Sequence, residues 1–289
     1  MRKIFLFVLS AVTLFSLEYS VDNANPVNGK STLITFAKKD AVVYKDVSVG
    51  KKHFKIFQQP LRSDSYYVII PFSYYDKPAK KRVQIHYTDH NRAKTETLFI
   101  KLKNGNYKKE SIKVSSSKVN PRSKAVKKRI SREYNEAMRI YHTVTPKSYL
   151  TKPFILPMQS VITSDFGKAR VYNGSLKGYH SGTDFRAKVG TPILAANDGK
   201  VVLVKERFYS GGTVLLDHGE GIYTCYFHMS HFDVKKGEIV HRGEQLGLSG
   251  KSGRVTGPHL HFAARVDGVQ VDPLQLIELL NYNLLKEKK

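Results

Sequence analysis

Cysteine is nearly absent from this sequence, and its scarcity excludes several kinds of site. The 289 residues include a single cysteine, Cys225. One thiol cannot form an intramolecular disulfide, and it cannot supply the several thiolates of a cysteine-rich zinc site. The motif H-E-x-x-H is also missing, which excludes the helical metalloprotease design with a glutamate base. If the chain is a hydrolase, a histidine must act as the general base in place of that glutamate.

Acidic residues are scarce relative to basic ones. The chain has 24 Asp and Glu against 48 Lys and Arg, a formal net charge of +24. This balance favours an anionic partner, either nucleic acid, an anionic membrane face or a charged cell-wall polymer. The excess is uneven: residues 101–150 contain 14 basic and 3 acidic side chains, whereas residues 151–273 contain 15 and 11. Much of the charge therefore lies outside the region that contains the candidate site described below.

The sequence has no apolar run of the ~20 residues that span a bilayer comfortably. Arg2 and Lys3 precede an apolar-rich stretch that ends at Leu17, before Glu18. This pattern is typical of a secretory signal peptide, which we predict over residues 1–20; a buried N-terminal strand or helix is the alternative. We expect an exported protein of the periplasm or cell envelope, either released or held by an uncleaved signal anchor. Export argues against nucleic acid as a partner.

Short β-like segments predict a mainly β fold. Residues 21–113 alternate strand formers with turn signals, as in a β-sandwich-like accessory domain. Residues 114–150 are basic and have helical apolar spacing, which predicts a helical linker between two domains. We interpret the linker's charge first as a solvated face and second as a contact with anionic wall or membrane. Residues 151–275 predict an all-β domain, and residues 276–289 a C-terminal helix or tail.

Individual elements follow from the same patterns. Two hairpin-type dipeptides, Asn104-Gly105 and Asp198-Gly199, predict tight turns, the second joining two strands within residues 191–204. The segments predicted as strands are 40–45, 66–71 and 83–87, and the linker helix is predicted over 123–141.

Histidines lie near glycines in the last domain, where the backbone permits close approach. His180 and Asp184 flank Ser-Gly-Thr, so we place both on a turn that leads into a strand. His259 and His261 are separated by Leu260. Because successive side chains of a strand point to opposite faces, we expect the two histidines to project together and the leucine to enter the core.

These residue types suit a catalytic metal site. Imidazoles and a carboxylate are zinc ligands, and three protein ligands with one open position are typical of a catalytic site. A further histidine, His228, is expected on one strand face with Tyr226. One metal cannot use all five groups and keep a position open, so two remain for hydrogen bonding or proton transfer.

Taken together, the motifs resemble those of the lysostaphin/LytM-type zinc peptidoglycan endopeptidases. The family patterns H-x-x-x-D, Y-x-H-x-S and G-P-H-L-H occur at residues 180–184, 226–230 and 257–261. Their order and spacing are highly specific, and the likeness covers roughly residues 155–273. The β-rich residues 21–113 are more loosely similar to the accessory domain of some Gram-negative envelope members of the family.

The resemblance implies a role for each matched residue. His228 and His259 would lie beside the reacting water and carbonyl, with either one as the general base. Asn173 matches a position near the metal that faces the substrate groove. The residues implied to bind Zn²⁺ are His180, Asp184 and His261.

The implied activity is zinc-dependent cleavage of peptide cross-links between peptidoglycan stem peptides. Such a D,D-endopeptidase would serve cell-wall remodelling or cell-shape maintenance. The alternative is a non-catalytic envelope protein that binds peptidoglycan or activates other wall hydrolases, as family members that have lost ligands do. All five positions are intact here, which favours the enzyme. Regulatory protein partners and autoinhibition by residues 21–150 are further expectations.

Overall fold

A computed structural model describes residues 17–113 and 121–286 of the chain. The fold is mainly β, as predicted, with two α-helices among the described residues. Neither helix is both long and apolar enough to cross a membrane. The predicted signal peptide lies almost wholly outside the described residues, although Tyr19 and Ser20 already belong to the first strand.

The N-terminal strands form two four-stranded sheets, ordered β1-β2-β6-β5 and β4-β3-β7-β8. The strands predicted at 40–45, 66–71 and 83–87 overlap β3, β6 and β7. The strands before the first helix are β1 (Tyr19–Asp22), β2 (Ser31–Ala37), β3 (Val42–Val49), β4 (Lys52–Lys55), β5 (Phe57–Gln58), β6 (Ser65–Pro71), β7 (Ala79–Asp89), β8 (Arg92–Leu102) and β9 (Lys109–Ile112).

One apolar core joins these two sheets. Ile34 and Val68 from the first sheet are buried together with Val47, Ile85 and Ile100 from the second. Sheets that bury their facing sides in this way form a sandwich. The β-sandwich-like fold predicted for this region is therefore present.

The other face of the first sheet packs against the C-terminal half of the chain. Leu33, Tyr67 and Ile69 belong to the same buried cluster as the C-terminal core. They alternate along β2 and β6 with residues that face the sandwich, such as Ile34. The hydroxyl of Tyr67 also donates a hydrogen bond to the carboxylate of Glu220 in the C-terminal half. The two halves thus share a buried contact.

The C-terminal half is built on a ten-stranded sheet. Its main path runs β10-β13-β20-β17-β16-β15-β18, and β14, β19 and β21 attach beside it. The strands of this half are β10 (Ile162–Ser164), β11 (Ala169–Tyr172), β12 (Ser175–Tyr179), β13 (Thr183–Arg186), β14 (Pro192–Leu194), β15 (Gly199–Arg207), β16 (Gly211–Asp217), β17 (Ile222–Phe232), β18 (Ile239–Val240), β19 (Gln245–Ser249), β20 (His259–Val266) and β21 (Val269–Val271).

The two strands predicted within residues 191–204 are present as β14 and β15, but they do not pair as a hairpin at Asp198-Gly199. Strand β14 pairs with β19, while β15 pairs with β16 and β18. The carboxylate of Asp198 instead accepts hydrogen bonds from the backbone N–H of Arg242 at 2.6 Å and from the hydroxyl of Thr151 at 2.8 Å. These contacts with other loops direct β14 and β15 to different partners.

The turn signal at Asn104-Gly105 does separate two strands, β8 and β9, but they form no hairpin, because the chain crosses to the other half there. Strand β9 pairs in parallel with β11, which pairs with β12 in a separate three-stranded sheet. The side-chain oxygen of Asn28 accepts from the backbone N–H of Gly105 at 2.8 Å and fixes this crossing. A segment that precedes the linker helix thus becomes part of the C-terminal half.

The predicted linker helix is present as α1 (Lys124–Tyr141), and its first turn is capped by the hydroxyl of Ser123. Ala137 and Tyr141 of α1 pack against Cys225 of the C-terminal sheet, so the helix is docked on that half. The predicted C-terminal helix is α2 (Pro273–Asn283), which begins after the capping carboxylate of Asp272.

Candidate metal centre and active-site groove

His180 enters the site directly after β12, with a defined tautomer. Its Nδ1 lies 2.8 Å from the carbonyl oxygen of Asp165. A carbonyl can only accept, so Nδ1 carries the proton and the lone pair is on Nε2. That Nε2 points at Asp184 Oδ1 and His261 Nδ1, each 2.9 Å away. A second hydrogen bond of this kind usually orients a histidine that binds a metal.

Asp184 and His261 face each other on adjacent strands. They are register partners in the pairing of β13 with β20, and Asp184 Oδ1 lies 2.7 Å from His261 Nδ1. With His180 Nε2 they form a buried group of three donor atoms. Two imidazole nitrogens and one carboxylate oxygen that converge in this way fit a divalent metal and leave coordination positions open. The structure thus brings together the three predicted ligands.

The protonation states of this group suit metal binding. Burial would raise the pKa of Asp184, but its close contacts with His180 and His261 hold that pKa well below its ordinary value. Burial lowers the pKa of His261 to about 4, against the opposing effect of Asp184. A charged carboxylate and a neutral imidazole are the forms that bind metals, so at neutral pH Asp184 and His261 are both in the protonation state that metal binding requires.

His228 and His259 stand beside the metal group as a second pair. Their ring centroids are 4.8 Å apart, and the ring of His228 lies 6.0 Å from that of His261. The Nδ1 of His228 donates to the carbonyl of Ser252, and that of His259 donates to the carbonyl of Gly257, each at 2.9 Å. Both Nε2 atoms are therefore left to accept or return a proton.

Burial and the neighbouring rings of His259 and His261 lower the pKa of His228 well below its ordinary value. This imidazole is therefore neutral near pH 7.

The prediction that His259 and His261 share a face is confirmed, since both lie at the site while Leu260 is fully buried in the core.

The prediction that Tyr226 shares a strand face with His228 is wrong. Tyr226 points into the core, where its hydroxyl accepts from the backbone N–H of Ala196 at 2.9 Å. A β-bulge causes the change: two residues of β17, Phe227 and His228, oppose the single residue Thr213 of β16. His228 has a left-handed φ of +63° at this point. The bulge breaks the alternation and brings both residues to the site.

Phe227 is one site residue that the sequence reasoning missed. Its ring stacks on the imidazole of His261 with 5.4 Å between centroids. The face of this metal-site histidine is thereby shielded by an apolar group. Phe227 also lies in the predicted motif at 226–230, but simple strand alternation assigned it to the opposite face.

Glu110 and Arg170 form a second missed feature, behind Asp184. Arg170 donates to Asp184 Oδ2 at 3.3 Å, and its Nε lies 3.1 Å from a carboxylate oxygen of Glu110. The hydroxyl of Ser164 contacts both Glu110 and His180 Nδ1 at 3.2 Å. A charge network therefore supports the carboxylate from the side away from the histidines. The signal in the sequence was Glu110 itself, a rare acid in the basic stretch 101–150.

These residues lie in an open groove of roughly 1090 Å³. Its lining includes the end of β9, Tyr134 of α1, and the side chains of Tyr172, Tyr209 and Arg254. Asn173 lies at the tip of the β11–β12 hairpin beside Tyr172, with its backbone N–H donating to Ile112 at 3.0 Å. Its contact with substrate stays a prediction.

The sequence profile of peptidase family M23 matches residues 178–273 of this chain. The peptidoglycan DD-endopeptidase ShyA of Vibrio cholerae serotype O1 is 42% identical over 115 residues, which are 39% of this chain and 27% of ShyA. This chain thus spans about a quarter of the length of that relative.

Two solved structures are also similar. A crystal structure assigned to peptidase M23, from Pseudomonas aeruginosa, has 25% identity and a TM-score of 0.67, and the match covers 88% of this chain and 96% of that one. The catalytic domain of the prophage-encoded M23 protein EnpA of Enterococcus faecalis, solved as a point mutant, is 34% identical. That match has a TM-score of 0.37 and covers 43% of this chain and 95% of the EnpA domain.

Proposed function

This chain belongs to peptidase family M23 through its C-terminal half, and on that basis we propose that it is a zinc-dependent hydrolase of peptidoglycan cross-links. The observation that carries the proposal is the convergence of His180, Asp184 and His261 beside the pair His228 and His259. Metal ligands and proton carriers thus occupy one groove, as hydrolysis requires. The name of the relative ShyA supports D,D-endopeptidase as the finer activity.

The proposed division of labour follows the donor atoms. His180 Nε2, Asp184 Oδ1 and His261 Nδ1 would hold Zn²⁺. Bound zinc supplies Lewis-acid chemistry, which polarises a carbonyl and acidifies water. The imidazoles of His228 and His259 would take a proton from the attacking water at Nε2 and return one to the leaving amine. Their Nδ1 hydrogen bonds hold both rings in the tautomer that this exchange needs.

The substrate would lie as an extended peptide along the groove. Its walls are formed by separate elements, so a chain can pass across the metal group. We propose cleavage within cross-links as the main activity, with removal of a terminal residue as the competing outcome. Fragment masses from digested sacculi separate the two.

We also propose that the protein works in the cell envelope. The support is the charged and apolar pattern of residues 1–20 together with the exposed basic face of α1, which includes Lys127, Lys128 and Arg132. This face suits contact with an anionic wall polymer or membrane. If the protein still co-sediments with anionic lipid after these three residues are neutralised, the basic face of α1 is not the membrane contact.

The proposed function is tested by metal content and by sacculus digestion. We expect about one zinc per chain and chelator-sensitive release of cross-link fragments. His261→Ala should abolish both, whereas His231→Ala, which alters an exposed histidine, should leave them unchanged. A His261→Ala protein that digests sacculi normally refutes the proposal. Binding to sacculi without digestion, unaffected by chelators, would support the non-catalytic alternative.

A further inference from the structure

Arg254 is a groove residue that the proposed reaction does not use. It lies in the loop between β19 and β20, and its guanidinium stacks on two tyrosine rings that line the groove. The guanidinium carbon is 4.5 Å from the ring centroid of Tyr172 and 4.5 Å from that of Tyr209. Stacking on two rings fixes the plane of the guanidinium and lowers the entropy that it loses on binding a ligand.

The loop that carries Arg254 is itself held rigidly. The backbone N–H of Arg254 donates to the carbonyl of Tyr209 at 2.8 Å. Gly253 has a φ of +80°, and a Cβ there would lie 2.5 Å from the backbone of Gly211 and Tyr209. Two residues earlier, the carbonyl of Ser252 accepts the Nδ1–H of His228. The position of the guanidinium is therefore tied to that of a proposed proton carrier.

The charge of Arg254 has no counter-ion among the described residues. Three other arginines that line this groove, Arg170, Arg207 and Arg265, have polar partners, and Arg207 donates to the carbonyl of Glu133. Arg170 contacts Glu110 and Asp184, and Arg265 donates to the carbonyl of Gly268 and to Gln270. Within residues 17–113 and 121–286, the guanidinium of Arg254 stacks on two aromatic rings and makes no hydrogen bond or ion pair, so its N–H donors remain for a ligand.

We propose that Arg254 is a specificity residue that binds a free carboxylate of the substrate peptide. A planar guanidinium with parallel donors matches a carboxylate in bidentate geometry. Held in place by Tyr172 and Tyr209, it would fix the register of an acidic stem peptide relative to His228. This inference rests on the proposed function, because it assigns a recognition role within the same groove.

The test compares two synthetic cross-linked stem-peptide dimers, one with free side carboxylates and one with the same groups converted to carboxamides. The zinc-loaded full chain should cleave the carboxylate dimer with a kcat/KM about 10- to 100-fold higher, as expected for a charge-assisted hydrogen bond. Arg254→Ala should remove this preference by lowering kcat/KM for the carboxylate dimer alone. Arg254→Lys keeps the charge but loses the planar fork, so its preference should be intermediate.

Lys251→Ala is the matched control, since Lys251 is an exposed cation of the same loop that does not line the groove. It should behave like the wild type. The inference is overturned if the wild type does not distinguish the dimers, or if Arg254→Ala slows both equally, as loss of a structural residue would.

A zinc-loaded wild type that cleaves neither dimer refutes the proposed function rather than this inference. Calorimetric binding of the carboxylate dimer then decides the role of Arg254. Weaker binding by Arg254→Ala than by Lys251→Ala supports the assignment, and equal binding overturns it.

Discussion

Arg170 donates a hydrogen bond to Oδ2 of Asp184 at 3.3 Å, on the oxygen that the two metal-site histidines do not contact. The carboxylate thus has one oxygen directed at the metal group and the other directed at a cation. Glu110 holds that cation through its own ion pair with Arg170. Such outer partners commonly change metal affinity by ~10- to 100-fold when they are removed.

We therefore predict that Glu110→Gln weakens zinc binding about 10-fold, because Arg170 is less firmly held behind Asp184. Competition with a fluorescent zinc chelator measures the change in dissociation constant. Glu136→Gln is the control, since its carboxylate pairs with Lys205. Equal zinc affinity in wild type and Glu110→Gln would show that the ion pair does not support the metal group.

The contact between the two halves predicts a stability effect at Tyr67. Its hydroxyl donates to buried Glu220, whose pKa is raised by burial. Tyr67→Phe leaves that carboxylate without this donor and should lower the free energy of unfolding by about 1–3 kcal/mol. Tyr66→Phe, at a half-buried neighbour, is the control. Urea denaturation measures both, and a loss no larger than that of the control would contradict the prediction.

His218 predicts a pH dependence of stability away from the metal group. Its Nδ1 donates to the carbonyl of Asp198 and its Nε2 accepts from the hydroxyl of Thr224, both at 2.7 Å. Burial lowers its pKa to about 4, against the opposing hydrogen bond to Asp198. The unfolded chain therefore binds a proton below pH ~6.5 while the folded chain does not, so stability falls as the pH drops towards 4. This contribution is about 3 kcal/mol in total.

His218→Gln removes this titration and should flatten the decline in unfolding free energy between pH ~6.5 and 4. Urea denaturation at several pH values in this range measures the slope. His231→Gln, at an exposed histidine, should keep the wild-type slope. An unchanged slope in the His218 variant would mean that this imidazole titrates normally in the fold.

The single thiol reports whether α1 is docked. Burial raises the pKa of Cys225 to about 11, and its Sγ lies 3.6 Å from the hydroxyl of Tyr141 on α1. At pH 8 we expect an aromatic disulfide reagent to label Cys225 of the folded protein at least about 100-fold more slowly than Cys225 of the protein unfolded in denaturant. The reason is that little of the buried thiol is in the reactive thiolate form.

Ala137→Asp places an unpaired carboxylate in this helix–sheet contact and should accelerate labelling of Cys225. Lys124→Asp, at the exposed start of α1, should not. The absorbance of the released thiol gives the rates. Rapid labelling of the wild type would show that the helix detaches readily.

The sequence predicted the parts of the site that depend on local spacing. His259 and His261 share a face because both lie in one regular strand, and the motif at 180–184 places two ligands at the start of another. Strand alternation failed at Tyr226 because a bulge inserts an extra residue, which only the partner strand reveals.

Contacts between distant segments were beyond sequence patterns. The dipeptides Asn104-Gly105 and Asp198-Gly199 are typical of hairpins, yet tertiary hydrogen bonds direct both segments elsewhere. Glu110 reaches Arg170 only because β9 pairs in parallel with β11. No periodic pattern of apolar residues in the sequence predicts the pairing of β9 with β11. The ion pair of Glu110 and Arg170 behind Asp184 could therefore be found only from the structure.

Strand β9 has a consequence for exchanging catalytic modules between relatives. The segment that matches the family profile begins at residue 178, yet Glu110 and Arg170 both precede it. A chimera joined at that boundary would transplant the three ligands into a host without the counter-charge behind Asp184. The smallest interchangeable unit therefore begins before Lys109, and a swap at that point should keep the grafted metal site at its native affinity.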